Sequence, residues 1–280
     1  MKLRFYNAKI LTMENENIIE GELCTDGGKI TYVGAERTSG GYDREIDLSG
    51  DLIIPGFKDA HTHSAMTFLR SLADDLPLSD WLYKEVFPRE AKLTEEAVYT
   101  YTQLANMEYL TSGITSSFDM YMKLPAYVKA CNDMGYRTVL CGSINDFGGT
   151  VEGIEEEFDT YNNSGELISY QLGFHAEYTT KRETLEGLAA LSQKLRAPLY
   201  AHNSETKAEV EGCNERYGIT PTQLFDKLGM FEYGGGGFHC VWFDERDMEI
   251  FAEKGLWMVT NPASNLKLAS GIAPICEMRR

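Results

Sequence analysis

The sequence has few basic residues for its acidity, and it lacks any long apolar run. Its 26 Lys and Arg residues stand against 43 Asp and Glu residues, which gives a formal net charge of −17. A surface of that sign repels nucleic-acid backbones and anionic lipid headgroups, so we expect neither as a partner. No stretch approaches the roughly 18 apolar residues that a membrane-spanning helix needs. The remaining composition is typical of a soluble globular protein.

Several short motifs are also absent. No C-x-x-C pair occurs among the six cysteines, which are Cys24, Cys131, Cys141, Cys213, Cys240 and Cys276. The first residues alternate like a strand and lack the apolar core of a secretory leader, so we expect reduced thiols and a cytoplasmic protein. Neither the H-E-x-x-H motif of zinc proteases nor the H-x-E and P-C-x-x-C pair of the small zinc nucleobase deaminases is present, which argues against both folds.

The first 52 residues predict a small β-subdomain. Alternating segments at residues 3–11, 18–24 and 29–33 surround the turn sequence Asp26-Gly27-Gly28. An aspartate-glycine pair between alternating segments is a hairpin signal. We interpret residues 1–52 as the N-terminal half of a small β-sandwich subdomain.

Residues 53–280 predict an α/β barrel, because short apolar runs alternate with segments of helical period. The seven predicted strands are Leu52–Ala60, Thr115–Phe118, Thr138–Ser143, Tyr170–Phe174, Leu199–Ala201, Gly237–Cys240 and Trp257–Thr260. The predicted helices include Thr94–Leu110, Leu124–Met134, Arg182–Leu195, Thr220–Leu228 and Glu245–Lys254. A TIM-type (β/α)8 barrel needs one strand more than these seven. We interpret the four-glycine run at 234–237 as a flexible turn before a strand.

Histidine is scarce, and its placement is informative. Four of the five histidines, His61, His175, His202 and His239, close a predicted strand at its C-terminal end, and His63 follows His61 by two residues. In a βα barrel that end carries the active site. Residues spaced i, i+2 on a strand point to the same face, so both imidazoles of the His61-Thr62-His63 segment can reach one ion. Two unrelated turn histidines are the alternative.

These residues sit within motifs that resemble the amidohydrolase superfamily. The motifs are Pro55-Gly56-Phe57, Asp59-Ala60-His61-Thr62-His63, Ala201-His202-Asn203-Ser204-Glu205, His239-Cys240-Val241 and Asn261-Pro262-Ala263-Ser264-Asn265-Leu266-Lys267-Leu268. In order and in kind they are similar to the branch that contains S-adenosylhomocysteine/5′-methylthioadenosine deaminases, guanine deaminases and triazine hydrolases. The resemblance runs over the whole chain.

The resemblance implies a role for each residue of the motifs. His61, His63 and His202 would bind one divalent metal, zinc or alternatively iron, with a coordination position open for water. Glu205 would protonate the ring nitrogen beside the carbon under attack, and His239 would steady the attacking water or the tetrahedral centre. His175 would contact the substrate. The amino-bearing carbon of a purine is a poor electrophile, so the reaction needs both a strong nucleophile and ring protonation.

A second segment, Trp81 to Glu90, resembles the adenosine-type deaminases. There the carboxylate of Glu90 would accept hydrogen bonds from the ribose 2′ and 3′ hydroxyls. Trp81 would stack on the nucleoside or form the wall of its pocket. A solvated helix acid and a packed core tryptophan are the alternatives. Between Arg137 and Lys181 the sequence has no Lys or Arg, whereas relatives that accept S-adenosylhomocysteine tend to place an arginine there. We therefore favour 5′-methylthioadenosine or adenosine as the small-molecule substrate.

The resemblance also bears on the end of the sequence. It implies an aspartate in a Gly-Thr-Asp-Gly motif at the end of an eighth strand, after the segment Gly271-Ile272-Ala273-Pro274. That aspartate would complete the metal site and take the proton from the attacking water. Because the sequence ends at Arg280, before that motif, we expect the 280-residue chain alone to be inactive or nearly so, with weak metal occupancy. Two alternatives stay open: guanine deamination or triazine hydrolysis on the same scaffold, and a catalytically inactive remnant that binds a ligand. Homo-oligomers are common in this superfamily, so a homo-oligomer is a further expectation.

Overall fold

The computed structural model describes residues 1–279, and the chain divides into two compact units, Met1–Phe57 and a second unit that begins at Lys58. The strands are β1 (Lys2–Leu11), β2 (Ile18–Asp26), β3 (Lys29–Gly34), β4 (Arg44–Asp47), β5 (Leu52–Ile53), β6 (Phe57–Thr62), β7 (Ile114–Met120), β8 (Arg137–Cys141), β9 (Ile168–Ala176), β10 (Leu199–Asn203), β11 (Gly235–His239) and β12 (Trp257–Val259). The α-helices are α1 (Leu78–Asp80), α2 (Phe87–Glu90), α3 (Glu95–Thr111), α4 (Leu124–Met134), α5 (Val151–Asn162), α6 (Arg182–Leu195), α7 (Lys207–Tyr217), α8 (Pro221–Lys227), α9 (Glu245–Lys254), α10 (Pro262–Lys267) and α11 (Ile275–Met278). A π-helix joins α1 to α2 at Trp81–Val86, and two 3-10 turns lie at Ser64–Leu69 and Glu177–Thr179.

The first unit is a five-stranded sheet built on β1. Strands β1, β2 and β3 are antiparallel neighbours, whereas β4 and β5 each pair with β1 in parallel. The β2–β3 hairpin turns at the predicted aspartate-glycine pair, and Gly27 there has a positive φ of 59°. The predicted β-subdomain therefore forms a sheet, and its description as half of a sandwich stays a prediction.

A buried ion pair lies within this sheet. Glu22 accepts a hydrogen bond from Arg4 Nε at 2.9 Å, and it also accepts from the backbone N–H and the hydroxyl of Thr38, at 3.0 and 2.9 Å. Hydrogen bonding from Arg4 is the main cause that lowers the pKa of Glu22 from 4.5 to about 2. Because the pKa in the folded state is the lower one, the ion pair stabilises the fold above pH 4.5, and this contribution is lost as the pH falls towards 2.

We therefore expect Glu22→Gln to lower the melting temperature at neutral pH by a few degrees, since the amide replaces a charged acceptor. The difference from the parent protein should shrink as the pH falls from 4.5 towards 2, where the parent carboxylate is itself protonated. Thermal unfolding of the two proteins across that pH range measures the difference. A difference that stays constant with pH would contradict this account of the pair.

The second unit is a (β/α) barrel wall of seven parallel strands, in the order β12-β11-β10-β9-β8-β7-β6. Each strand pairs with its neighbour in sequence, and a helical segment or crossover lies between consecutive strands. This arrangement is the one that short apolar strands alternating with amphipathic helices produce. The predicted barrel with seven visible strands is confirmed.

The four-glycine run departs from prediction, because residues 235–237 are buried strand rather than flexible turn. Strand β11 lies so close to its neighbours that side chains would not fit. A Cβ on Gly235 would lie 2.0 Å from the carbonyl oxygen of Leu199 on β10, and one on Gly236 would lie 2.0 Å from that of Trp257 on β12. Glycine is needed here for close backbone approach.

The core of the second unit lies between the sheet and the helices outside it. Fully buried side chains from strands and helices meet there, among them Tyr170, Leu172, Leu185, Leu188 and Phe225. A smaller apolar cluster fills the barrel interior and includes Met120, Cys141 and Phe238. The residues at the C-terminal ends of the strands lie directly above this inner cluster. Within residues 1–279, no helix is long and apolar enough to cross a membrane.

Candidate active site

A cavity of about 600 Å³ opens at the C-terminal ends of the barrel strands. The eight residues that the sequence singled out all line it: His61, His63, Trp81, Glu90, His175, His202, Glu205 and His239. They come from the ends of β6, β9, β10 and β11 and from the helical segment after β6. The barrel topology therefore brings together side chains that are up to 178 positions apart, from His61 to His239.

Three imidazoles converge at the floor of the cavity. His202 Nε2 lies 3.2 Å from His61 Nε2 and 3.3 Å from His63 Nε2. A tetrahedral zinc ion with Zn–N bonds of about 2.0–2.1 Å holds its nitrogen ligands roughly 3.3 Å apart. Both of these distances therefore fit a divalent metal ligated by His61, His63 and His202.

The second nitrogen of two of these rings is occupied by a backbone carbonyl. His63 Nδ1 donates to the Met120 oxygen at 2.7 Å, and His202 Nδ1 donates to the His175 oxygen at 2.6 Å. Each contact places the proton on Nδ1 and leaves the Nε2 lone pair facing the cluster, as metal-ligating histidines require. The His61 ring stacks on Phe238 with a centroid distance of 3.8 Å, which fixes its plane.

Burial keeps these imidazoles neutral. It lowers the pKa of His63 to about 4 and the pKa values of His61 and His202 well below the usual 6.5. Mutual repulsion among the rings adds to the effect. Neutral imidazole is the form that binds a metal ion, so the electrostatics and the geometry of the cluster favour the same use.

His239 and Glu205 lie beside the three imidazoles. His239 Nδ1 donates to Asn265 Oδ1 at 2.7 Å and lies 3.5 Å from Glu205 Oε1. Ser270 donates its hydroxyl to the same Glu205 oxygen at 3.0 Å. His239 also offers a nitrogen within 4.8 Å of those of His61 and His202. His61, His202 and His239 therefore form a second set of nitrogens that could hold the ion, and His63 as the third ligand stays a prediction.

His175 adjoins this group on the β9 side. Its ring centroid is 4.9 Å from that of His202, and its Nδ1 donates to the Thr179 hydroxyl at 2.8 Å, because that hydroxyl itself donates to the Ala176 carbonyl. The free Nε2 of His175 is therefore an acceptor. Burial lowers the pKa of His175 to about 3, which keeps the ring neutral.

Glu90 and Trp81 form part of the cavity wall. Glu90 ends α2 and is buried, and burial raises its pKa although the neighbouring Tyr121 hydroxyl acts in the opposite direction. Trp81 lines the cavity and also packs against the apolar cluster of Leu78, Leu82 and Val86. Its packing role and its wall role thus coexist.

Several polar residues that support the site were not predicted from the sequence. Asn265 and Ser270 orient His239 and Glu205, and they come from the segment after β12. Glu209 on α7 accepts from the backbone N–H groups of Ser204 and Glu205, at 3.1 and 2.8 Å. Asp119 at the end of β7 is completely buried beside Ser64.

A barrel with this histidine cluster at its C-terminal face is the architecture of metal-dependent hydrolases. Residues 52–279 match the amidohydrolase family, and the chain belongs to that family. It is 37% identical over 284 residues to the 5-methylthioadenosine/S-adenosylhomocysteine deaminase of Caldicellulosiruptor saccharolyticus, and 38% identical over 287 residues to that of Desulforamulus reducens. Each alignment covers 99% of this chain, which spans 66% of the length of either relative.

Solved structures show the same fold. An adenosine deaminase from Xanthomonas campestris with bound zinc superposes with a TM-score of 0.90 at 29% identity, over 99% of this chain and 66% of that one. A guanine deaminase from C. acetobutylicum superposes with a TM-score of 0.86 at 20% identity, over all of this chain and 72% of that one. The second likeness concerns the fold alone.

Proposed function

We propose that the protein is a metal-dependent hydrolytic deaminase of an adenosine-type nucleoside. The observation that carries this proposal is the convergence of the Nε2 atoms of His61, His63 and His202 beside the Glu205 carboxylate. The curated relatives named as deaminases of such nucleosides support it. In the reaction, the oxygen of water bonds to the amino-bearing ring carbon, the C–N bond breaks, and ammonia leaves.

The described residues supply some of the groups that this reaction needs. A divalent metal, with zinc as the proposed ion and iron as the alternative, would supply hydroxide at neutral pH by lowering the pKa of bound water. Glu205 protonates the ring nitrogen next to the attacked carbon, which makes that carbon electrophilic. Because the Nδ1 proton of His239 is donated to Asn265 Oδ1, the Nε2 lone pair of this ring is left to accept a hydrogen bond from the attacking water and to orient it.

The wall of the cavity favours a nucleoside without an acidic tail. Among the described residues that line the cavity, the two cations are Arg70 and Lys267. Arg70 pairs with Glu108 at 2.6 Å and Lys267 pairs with Asp74 at 2.9 Å. An amino-acid substituent would have to compete with these carboxylates for either cation. We propose 5′-methylthioadenosine and adenosine as better substrates than S-adenosylhomocysteine.

Glu90 is the proposed ribose-binding residue, and His175 and Trp81 are the proposed contacts to the rest of the substrate. Glu90→Gln should raise KM for nucleosides about 10- to 100-fold, because hydrogen bonds to a charged group are worth roughly 1.5–3 kcal/mol. The free base adenine has no ribose diol, so its KM should change little in this variant. The measurement is a kinetic panel of 5′-methylthioadenosine, adenosine, S-adenosylhomocysteine, adenine, guanine and a chlorotriazine, with the full product of the gene.

The same panel tests the proposed function. Turnover of the adenosine-type nucleosides ahead of guanine and the triazine is the expected result. Preferred turnover of guanine or of the triazine would reassign the substrate class. An equal loss on nucleosides and on free adenine in Glu90→Gln would remove Glu90 from the ribose site.

A further inference from the structure

The proposed metal site depends on how firmly His63 is held. One buried acidic residue, Asp119, holds the backbone next to His63. Asp119 is completely buried, and its carboxylate accepts from the backbone N–H of Ser64, at 3.3 and 3.2 Å for the two oxygens. The Ser64 hydroxyl also donates to it. Tyr127 donates its hydroxyl to the same carboxylate at 2.5 Å. These three donors converge on a carboxylate that does not line the cavity.

The position of Asp119 in the chain gives these contacts their significance. Ser64 directly follows His63, so the carboxylate holds the backbone at the residue after the imidazole. Met120 directly follows Asp119, and its carbonyl accepts from His63 Nδ1 at 2.7 Å. The dipeptide at the end of β7 thus holds both the backbone next to His63 and its ring.

A second contact holds the other side of the same segment. Tyr109 on α3 places its hydroxyl 2.7 Å from the Thr62 hydroxyl and 3.1 Å from the Ser64 hydroxyl. Thr62 and Ser64 flank His63, so the Nε2 of this ring is directed at the cluster by contacts on both sides. Such outer contacts typically change metal affinity about 10- to 100-fold when they are removed.

We propose that Asp119 is a positioning residue, which sets the direction of the His63 imidazole by holding Ser64 and the end of β7 together. It does not touch the substrate or the proposed ion. This inference rests on the proposed function, because it assumes that His63 is a metal ligand. The obvious alternative is that Asp119 only stabilises the barrel, as any satisfied buried carboxylate does.

The test is the zinc affinity of the full gene product, measured by competition with a chromogenic chelator. In Asp119→Asn, an amide NH₂ group replaces one of the two carboxylate oxygens. An NH₂ group cannot accept a hydrogen bond, so one of the groups that donate to Asp119 loses its acceptor. We expect zinc to bind about 10- to 100-fold more weakly. Asp247→Asn is the matched control, because Asp247 is an equally buried carboxylate that holds Thr220 and the start of α9 and does not line the cavity. It should leave zinc affinity unchanged.

Each possible result of this test either supports or overturns the positioning role of Asp119. Unchanged zinc affinity in Asp119→Asn, or an equal loss in Asp119→Asn and Asp247→Asn, overturns the positioning role while the proposed function stands. A parent protein that binds no zinc overturns both. If Asp119→Asn does not fold, Tyr127→Phe removes one donor to Asp119 and should weaken zinc binding a few-fold; no change in that variant overturns the inference.

Discussion

His202→Ala is expected to abolish stoichiometric zinc binding and to lower kcat/KM by about a thousandfold or more. The Nε2 atoms of His61 and His63 lie 3.2 and 3.3 Å from His202 Nε2. Loss of His202 therefore removes the central member of the proposed ligand set. A metal ion contributes several kcal/mol to such a transition state, and each 1.36 kcal/mol corresponds to a factor of ten in rate. Metal analysis of the purified variant, together with its kinetics, gives both quantities.

His175→Ala is the matched control for that variant, since it removes a neighbouring imidazole from the same cavity. The hydrogen bond that His175 accepts from His202 uses its backbone carbonyl, which alanine keeps, whereas the contact between the two rings is lost. We expect full zinc occupancy and weakened nucleoside binding. Full zinc occupancy in His202→Ala, or equal metal loss in the two variants, would remove His202 from the proposed ligand set.

Glu205→Gln is expected to lower kcat by about 10²- to 10⁴-fold while zinc occupancy is retained. Glutamine has the same shape and can still accept from Ser270, but it has no acidic proton that it could transfer to the ring nitrogen. Steady-state kinetics with 5′-methylthioadenosine and zinc analysis of the same sample separate the two effects.

The control for this carboxylate is Glu157→Gln. Glu157 accepts from the Tyr170 hydroxyl at 2.6 Å and does not line the cavity. That variant should keep its activity. A Glu205→Gln protein within about threefold of the parent rate would exclude Glu205 as the proton donor, because general acid catalysis contributes at least about a hundredfold.

Much of the barrel could be predicted because its elements carry local signals. Helices α4, α6 and α9 have the same bounds in the structure as in the prediction, and α4 and α9 end at a left-handed glycine, Gly135 and Gly255. Helix α7 was not among the predicted helices. Its buried residues are Glu209 and Cys213, so it has almost no apolar face to produce a helical period.

The candidate site was predictable to the extent that its residues end strands. His61, His202 and His239 are adjacent because parallel strands place their C-terminal ends at one edge. Asp119 could not be assigned from the sequence, because its meaning depends on Ser64, which is 55 positions away, and on the packing of Tyr127. The prediction of a flexible turn at the glycines of β11 was wrong for a similar reason. A glycine run indicates a turn unless the closeness of the neighbouring strands is known.

Deamination of 5′-methylthioadenosine by the zinc-loaded full gene product tests the central claim most directly. The assay follows ammonia release and the change in ultraviolet absorbance as the amino group of the ring becomes a carbonyl. We predict one ammonia released per nucleoside converted, and loss of turnover when zinc is removed by a chelator. A folded, zinc-loaded protein that releases no ammonia from 5′-methylthioadenosine, adenosine or S-adenosylhomocysteine would contradict the account.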